Sequence, residues 1–240
     1  MPDRAALVTG ASSGIGLAIA QALGEEGHGL TVAARRPEKL AAAADELRAA
    51  GHDVEEVAAD LTEEDEIRRV VAAHRDRFGR LDVLVNSAGV GFGAPADGHQ
   101  TKRVDMQMDL NLRAIVLFYR ECADLLKAAG AEHRNALVVN LSSNAGKAGQ
   151  PWLSVYSATK AAVIGYTQAM NRELAGEGVK SVALCPGFVD TPMSDFIKEQ
   201  ITADEMITTE DVAQSVRFLL RLSPNCIVPE IGFERPGQIL

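Results

Sequence analysis

The chain alternates two kinds of hydrophobic pattern along its length, and that alternation leaves few folds open. Short runs of β-branched and aliphatic residues have the length and composition of strands: "AALVT" at 5, "LTVAA" at 30, "VEEVA" at 54, "LDVLV" at 81, "ALVVNL" at 136, "VKSVALC" at 179 and "IVPEIGF" at 227. Amphipathic stretches of helical length lie near 15–26, 38–50, 63–78, 101–129, 155–175 and 209–222, one in nearly every gap. Successive strand, helix and strand make right-handed crossovers, so the expected class is α/β, a mostly parallel sheet covered by helices on both faces. Thr62, three residues before Asp65, and Thr209, ahead of "EDVAQSV", are the expected N-caps of two of these helices. No repeat, low-complexity tract or linker breaks the pattern. With 47% apolar residues, a chain of 240 suits one domain spanning 1–240.

Charge and cysteine usage narrow the function. The 24 Lys and Arg against 33 Asp and Glu give a net charge of −9, which disfavours nucleic acid as a partner. Cys122, Cys185 and Cys226 are odd in number and lack C-x-x-C spacing, so a reducing cytoplasm is expected and neither disulfides nor a zinc cluster is. The histidines, His28, His52, His74, His99 and His133, lack metal-binding spacing and are read as surface or loop residues, with no metal expected. No window reaches 18 consecutive apolar residues, so no membrane association is expected.

The first strand runs into "TGASSGIG", where Gly10, Gly14 and Gly16 open the first helix, with Ser12, Ser13 and Ile15 between them. Small residues there let the backbone approach a phosphate, and the free N–H groups and positive dipole of the helix terminus bind it. The second strand ends at Ala34, where an acidic residue would accept a hydrogen bond from the ribose 2′-OH of NAD. Alanine cannot do so, and Arg35 and Arg36 follow at once, able to grip a 2′-phosphate. The cofactor inferred is NADP(H). Asp60, followed by Leu61 at the end of the third strand, either meets the adenine edge or caps the next helix.

The fourth and fifth strands end in "NSAG" (Asn86, Ser87, Ala88, Gly89) and "NLSSNAG" (with Ser142 and Ser143), at the same sheet edge as the glycine turn. "SVYSATK" then places Tyr156 one helical turn before Lys160. Reduction of a carbonyl needs a proton at the developing alkoxide. A tyrosine supplies it if its pKa is drawn down toward neutrality, which a nearby ammonium is expected to do. Ser143 can hydrogen-bond the substrate oxygen, and Asn111, polar amid "MDLNLRAIV", can hold a water that relays protons to Lys160.

In this order along nearly the whole chain, the motifs resemble those of the short-chain dehydrogenase/reductase family. "TGASSGIG" resembles its cofactor turn and "NSAG" its N-N-A-G element. Asn111, Ser143, Tyr156 and Lys160 fall where its catalytic tetrad is expected, with Tyr156 13 residues after Ser143. "PGFVDT", with Pro186, Gly187, Val189 and Thr191, is similar to its segment at the nicotinamide amide. The resemblance implies a Rossmann-type doubly wound sheet of seven strands in the order 3-2-1-4-5-6-7. It also implies hydride transfer between NADP(H) and a small carbonyl or alcohol substrate, a ribose contact from Lys160, and a homodimer or homotetramer. The helices at 101–129 and 155–175, apolar beyond one face, point to the same assembly. Two departures stand out: Ser87 replaces the second Asn of N-N-A-G, and the C-terminal "SPNCIVPEIGFERPGQIL" lacks a D-G-G-like ending. The segment between Thr191 and Thr208 is expected to form a short lid over an open pocket, with Trp152, Met193 and Phe196 as apolar walls. The alternative is a non-enzymatic NADP(H)-binding regulator on the same fold.

Overall fold

The computed structural model describes residues 2–237, so Gln238, Ile239 and Leu240 of the unusual C-terminal segment lie outside the described residues. Seven parallel strands form one sheet: β1 (Arg4–Thr9), β2 (His28–Ala34), β3 (Val54–Ala58), β4 (Val83–Asn86), β5 (Ala136–Leu141), β6 (Val179–Pro186) and β7 (Glu230–Phe233). Their order is β3-β2-β1-β4-β5-β6-β7. The helices are α1 (Gly14–Glu25), α2 (Pro37–Ala49), α3 (Glu64–Phe78), α4 (Thr101–Met108), α5 (Ala114–His133), α6 (Ser154–Leu174) and α7 (Thr209–Leu220).

Because side chains alternate across a strand, β1 feeds two cores at once. Ala6 and Val8 pack with Ile19 and Leu23 of α1, Leu40 of α2 and Val216 of α7. Leu7 points the other way, among Val70 of α3, Phe118 of α5 and Val163 of α6. Burial on both faces explains why the central strands read as unbroken apolar runs rather than as alternating ones. The strand order reverses between β1 and β4, and a doubly wound sheet gathers ligands outside the carboxyl ends at that point.

Three local expectations are corrected. The helix expected over 101–129 is broken by a π-helical segment at Asp109–Arg113 and resumes as α5. The N-cap of α3 is Glu63 rather than Thr62, whose hydroxyl is drawn to Asp60 at 2.8 Å. The cap of α7 is Thr208 rather than Thr209, and Thr208 accepts from the Asp211 N–H at 3.1 Å while Asp211 reaches back to the Thr208 N–H.

Two histidines expected at the surface are buried instead, His28 and His74. His74 donates from Nε2 to the Arg80 carbonyl and accepts at Nδ1 from the Thr31 hydroxyl, both at 2.8 Å. A neutral imidazole is fully satisfied there, and burial pushes its pKa down to about 4. The unfolded chain therefore binds the proton first: the stabilisation is complete above the unfolded pKa and is lost as pH falls through it toward 4. This residue should remove about 2 kcal/mol of stability between pH 7 and pH 4.5. Urea midpoints across that interval should fall less steeply for His74→Gln than for wild type. Equal slopes would count against the assignment.

Candidate active site

Strand ends and helix starts at the switch point enclose a cavity of about 530 Å³. At one end lies the glycine turn. Gly10 has φ +68°, and a Cβ there would sit 2.8 Å from the Ala88 nitrogen; one on Gly16 would sit 2.5 Å from the Gly10 carbonyl. These two positions require glycine, for close approach of the turn to β4 and of α1 to β1. Ser13, the N-cap of α1, uses no side-chain hydrogen bond to cap it, and no acid occupies the first turn, so the leading N–H groups face the cavity with their positive dipole uncompensated. This is the cradle that a pyrophosphate fits.

Ser12, Ser13, Gly14, Ile15, Arg35, Arg36, Asp60 and Leu61 line the same end. Arg35 and Arg36 are exposed, and among the described residues neither has an ion-pair partner. An NADP 2′-phosphate suits such a pair of free guanidinium groups. Asp60 accepts at Oδ1 from both the N–H and the hydroxyl of Thr62, so it orders the turn before α3 while it faces the cavity.

At the other end Ser142, Ser143, Tyr156, Lys160, Pro186, Gly187, Val189 and Thr191 come together with Ala88 and Gly89. The Lys160 ammonium is buried, donates to the Leu141 carbonyl at 2.6 Å and lies 5.6 Å from the Tyr156 ring centroid. Burial pushes its pKa down to about 8, which still leaves it mainly protonated at pH 7. The expected downward pull on Tyr156 is not seen. Burial pushes the phenol up, opposed by the neighbouring Ser143 hydroxyl, because the ammonium is aimed at Leu141 and not at the phenol. The phenol is therefore protonated at neutral pH, and a phenol shifted up is a weaker acid than one drawn toward neutrality. Ser142 is fixed by donating to the Lys160 carbonyl, whereas Ser143 accepts from the Ala145 N–H at 3.1 Å and faces the cavity.

Asn111 stands behind the wall, in the π-helical segment, a distortion frequent at functional sites. Its Oδ1 accepts from the Val90 N–H and its Nδ2 donates to the Val90 carbonyl, both at 2.9 Å, and to the Thr159 hydroxyl at 3.1 Å. The amide clamps the segment after β4, and only the second lone pair of Oδ1 is left for a water. Asn86 does not line the cavity; its amide donates across the sheet to Asn140 at 2.9 Å. Thr9, which the motifs did not single out, accepts from the N–H groups of Ser87 and Ala88 and anchors the same segment from β1. Gly91 and Phe92 were also not singled out. The pattern "VGFG" directly after "NSAG" is the signal that could have found them: a Cβ on Gly91 would lie 3.3 Å from the Tyr156 ring. Of the expected walls, Met193 lines the cavity; Phe196 is 72% exposed against Phe188, and Trp152 lines a neighbouring cavity. The segment expected to form a lid carries 3-10 turns at Pro192–Ile197 and Ala203–Glu205. Among the described residues no cluster of three metal-ligating side chains occurs, and no helix is long and apolar enough to cross a membrane.

Residues 4–202 match the family described as short chain dehydrogenase. The chain belongs to that family. A candidate ketoacyl reductase of Streptomyces coelicolor is 41% identical over 208 residues, 86% of this short-chain dehydrogenase and 78% of that protein. Among solved structures, an alcohol dehydrogenase of Thermococcus sibiricus complexed with 5-hydroxy-NADP superposes with a TM-score of 0.88 at 27% identity, covering 99% of this chain and 98% of that one. A variant actinorhodin polyketide ketoreductase with NADPH gives 0.86 at 33% identity, covering 96% and 94%. Fold, family and the general activity of an oxidoreductase are thereby set for this short-chain dehydrogenase.

Proposed function

We propose that the protein is an NADPH-dependent carbonyl reductase in which Tyr156 is the general acid. The observation that carries this reading is the placement of a phenol, an ammonium and a hydroxyl on the wall of the same cavity whose far end holds the glycine turn and two arginines without an ion-pair partner among the described residues. Bound there, a nicotinamide cofactor supplies the hydride. Gly10, Gly14 and Gly16 hold its phosphates, Arg35 and Arg36 select the 2′-phosphate, and Pro186, Gly187, Val189 and Thr191 border the nicotinamide end. Ser143 donates to the substrate oxygen and orients it. Tyr156 Oη delivers its proton to that oxygen as negative charge develops. Lys160 opposes the charge left on the phenolate and offers its remaining donors to the cofactor ribose. Asn111 keeps Val90, and with it Gly89 and Gly91, against Lys160 and Tyr156.

The test is NADPH consumption with a panel of aldehydes, ketones and, following the relatives' names, ketoacyl compounds. Turnover of at least one class with NADPH supports the reading. NADPH binding with no turnover across the panel would favour a regulatory binder.

We also infer a homodimer or homotetramer in the cytoplasm. One face of α6 exposes Ala158, Ala161, Gly165 and Ala169, and α5 exposes Val116, surfaces on which a second helix pair can pack closely. Gly165 has open space around it, so Gly165→Arg should leave the protomer folded and halve or quarter the mass measured by light scattering. A monomeric wild type at micromolar concentration would overturn this.

A further inference from the structure

Beside the main cavity, and sharing Phe92 with it, lies a second one of about 180 Å³ between the segment after β4 and the loop before α6. An apolar cavity of roughly 150 Å³ holds one benzene ring, so this one admits a single compact group. The two are adjacent: Phe92 walls both, its neighbour Gly91 rests against the Tyr156 ring, and the Ala94 N–H donates to the Trp152 carbonyl at 2.8 Å.

The lining has a definite chemistry. Phe92 and Trp152 supply aromatic surface, and the Arg103 guanidinium lies 5.4 Å from the Phe92 ring centroid, with no ion-pair partner among the described residues. His99 reaches the Ser154 hydroxyl at the rim at 3.0 Å. Buried Gln107 fixes the wall by accepting from the Phe92 N–H at 3.0 Å. Trp152 is 67% exposed and holds φ +66°, a left-handed conformation that a bulky residue rarely adopts outside sites where a ligand or strained loop requires it. Arg103 is itself exposed, so its guanidinium is open to an anion from solvent.

We propose that this cavity is a substrate subsite for a compact carboxylate-bearing group, held between Phe92 and Trp152 with its carboxylate on Arg103, distal to the carbonyl at Tyr156. The subsite selects anionic over neutral carbonyl compounds. This deepens the carbonyl-reductase reading and rests on it. The position of Arg103, on α4 and away from Tyr156, Ser143 and Lys160, makes it a specificity-determining residue with no part in proton transfer.

Trp152 is the chain's only tryptophan, so its fluorescence reports the cavity without turnover. Cyclohexanecarboxylate should change that emission saturably, with cyclohexanecarboxamide binding about tenfold more weakly, and Arg103→Gln should erase the difference while Arg103→Lys partly restores it. With NADPH, para-formylbenzoate should exceed para-formylbenzamide by about tenfold in kcat/KM, and Arg103→Gln should close that gap through KM with kcat kept, because the contact is equal in ground and transition states. Equal binding of acid and amide to wild type, or carboxylate affinity unchanged in Arg103→Gln, overturns the subsite. The predicted fluorescence pattern without reduction of any carbonyl compound supports the anion site and refutes the reductase reading instead.

Discussion

Tyr156→Phe should leave NADPH affinity close to wild type and lower kcat for the best carbonyl substrate by about 10²–10⁴, the range for loss of a general acid. Only the hydroxyl is removed. The ring keeps its place against Gly91, so the wall of the cavity is preserved and binding separates from chemistry. Lys160→Ala should damage both: it deletes the charge that opposes the phenolate, and it strips the buried Leu141 carbonyl of its 2.6 Å partner. The two residues act as one unit, so the double variant should lose far less than the product of the single losses. Single-turnover kinetics and NADPH titration of the three variants check this. A Tyr156→Phe enzyme working at near wild-type rate would sink the mechanism.

Cofactor preference is the second large effect. Wild type should favour NADPH over NADH, and Ala34→Asp combined with Arg35→Ala should reverse the order. Each charged hydrogen bond to the 2′-phosphate contributes about 1.5–3 kcal/mol, or tenfold or more in affinity. A carboxylate at position 34, the last residue of β2, gains the ribose hydroxyl and repels the phosphate. The ratio of kcat/KM for the two cofactors should therefore swing by about 10² or more. Equal use of both cofactors by wild type would exclude the roles given to Arg35 and Arg36.

How far the chain discloses itself differs between elements, for physical reasons. Central strands such as "ALVVNL" are apolar on both faces because helices cover both, and turn glycines such as Gly10 and Gly16 are required by contacts that no Cβ permits, so both kinds of signal survive in one dimension. The spacing of Tyr156 and Lys160 is likewise a property of a single helix. The seven-strand order followed from the resemblance to a known family, and the structure bears it out.

Other features depend on partners distant in sequence. The break in the helix at Asn111 comes with side-chain bonds to Val90, 21 residues away, and to Thr159, 48 away. His74 reads as a surface residue until Thr31 and the Arg80 carbonyl enclose it. Tyr156 is shifted up rather than down because burial dominates, and spacing that puts a lysine near a tyrosine does not say where the ammonium points; the Leu141 carbonyl, from the neighbouring strand, takes it. Arg103 and Phe92 are ordinary residues in the sequence, and only the loop that carries Trp152 turns them into a cavity. The sequence by itself determined the alternation of elements, the glycine turn and the spacing of the candidate site residues, because those rest on local backbone geometry and side-chain chemistry. The tertiary structure alone decided positioning, burial and the second cavity, because desolvation and hydrogen-bond partners come from segments that meet only when the sheet has formed.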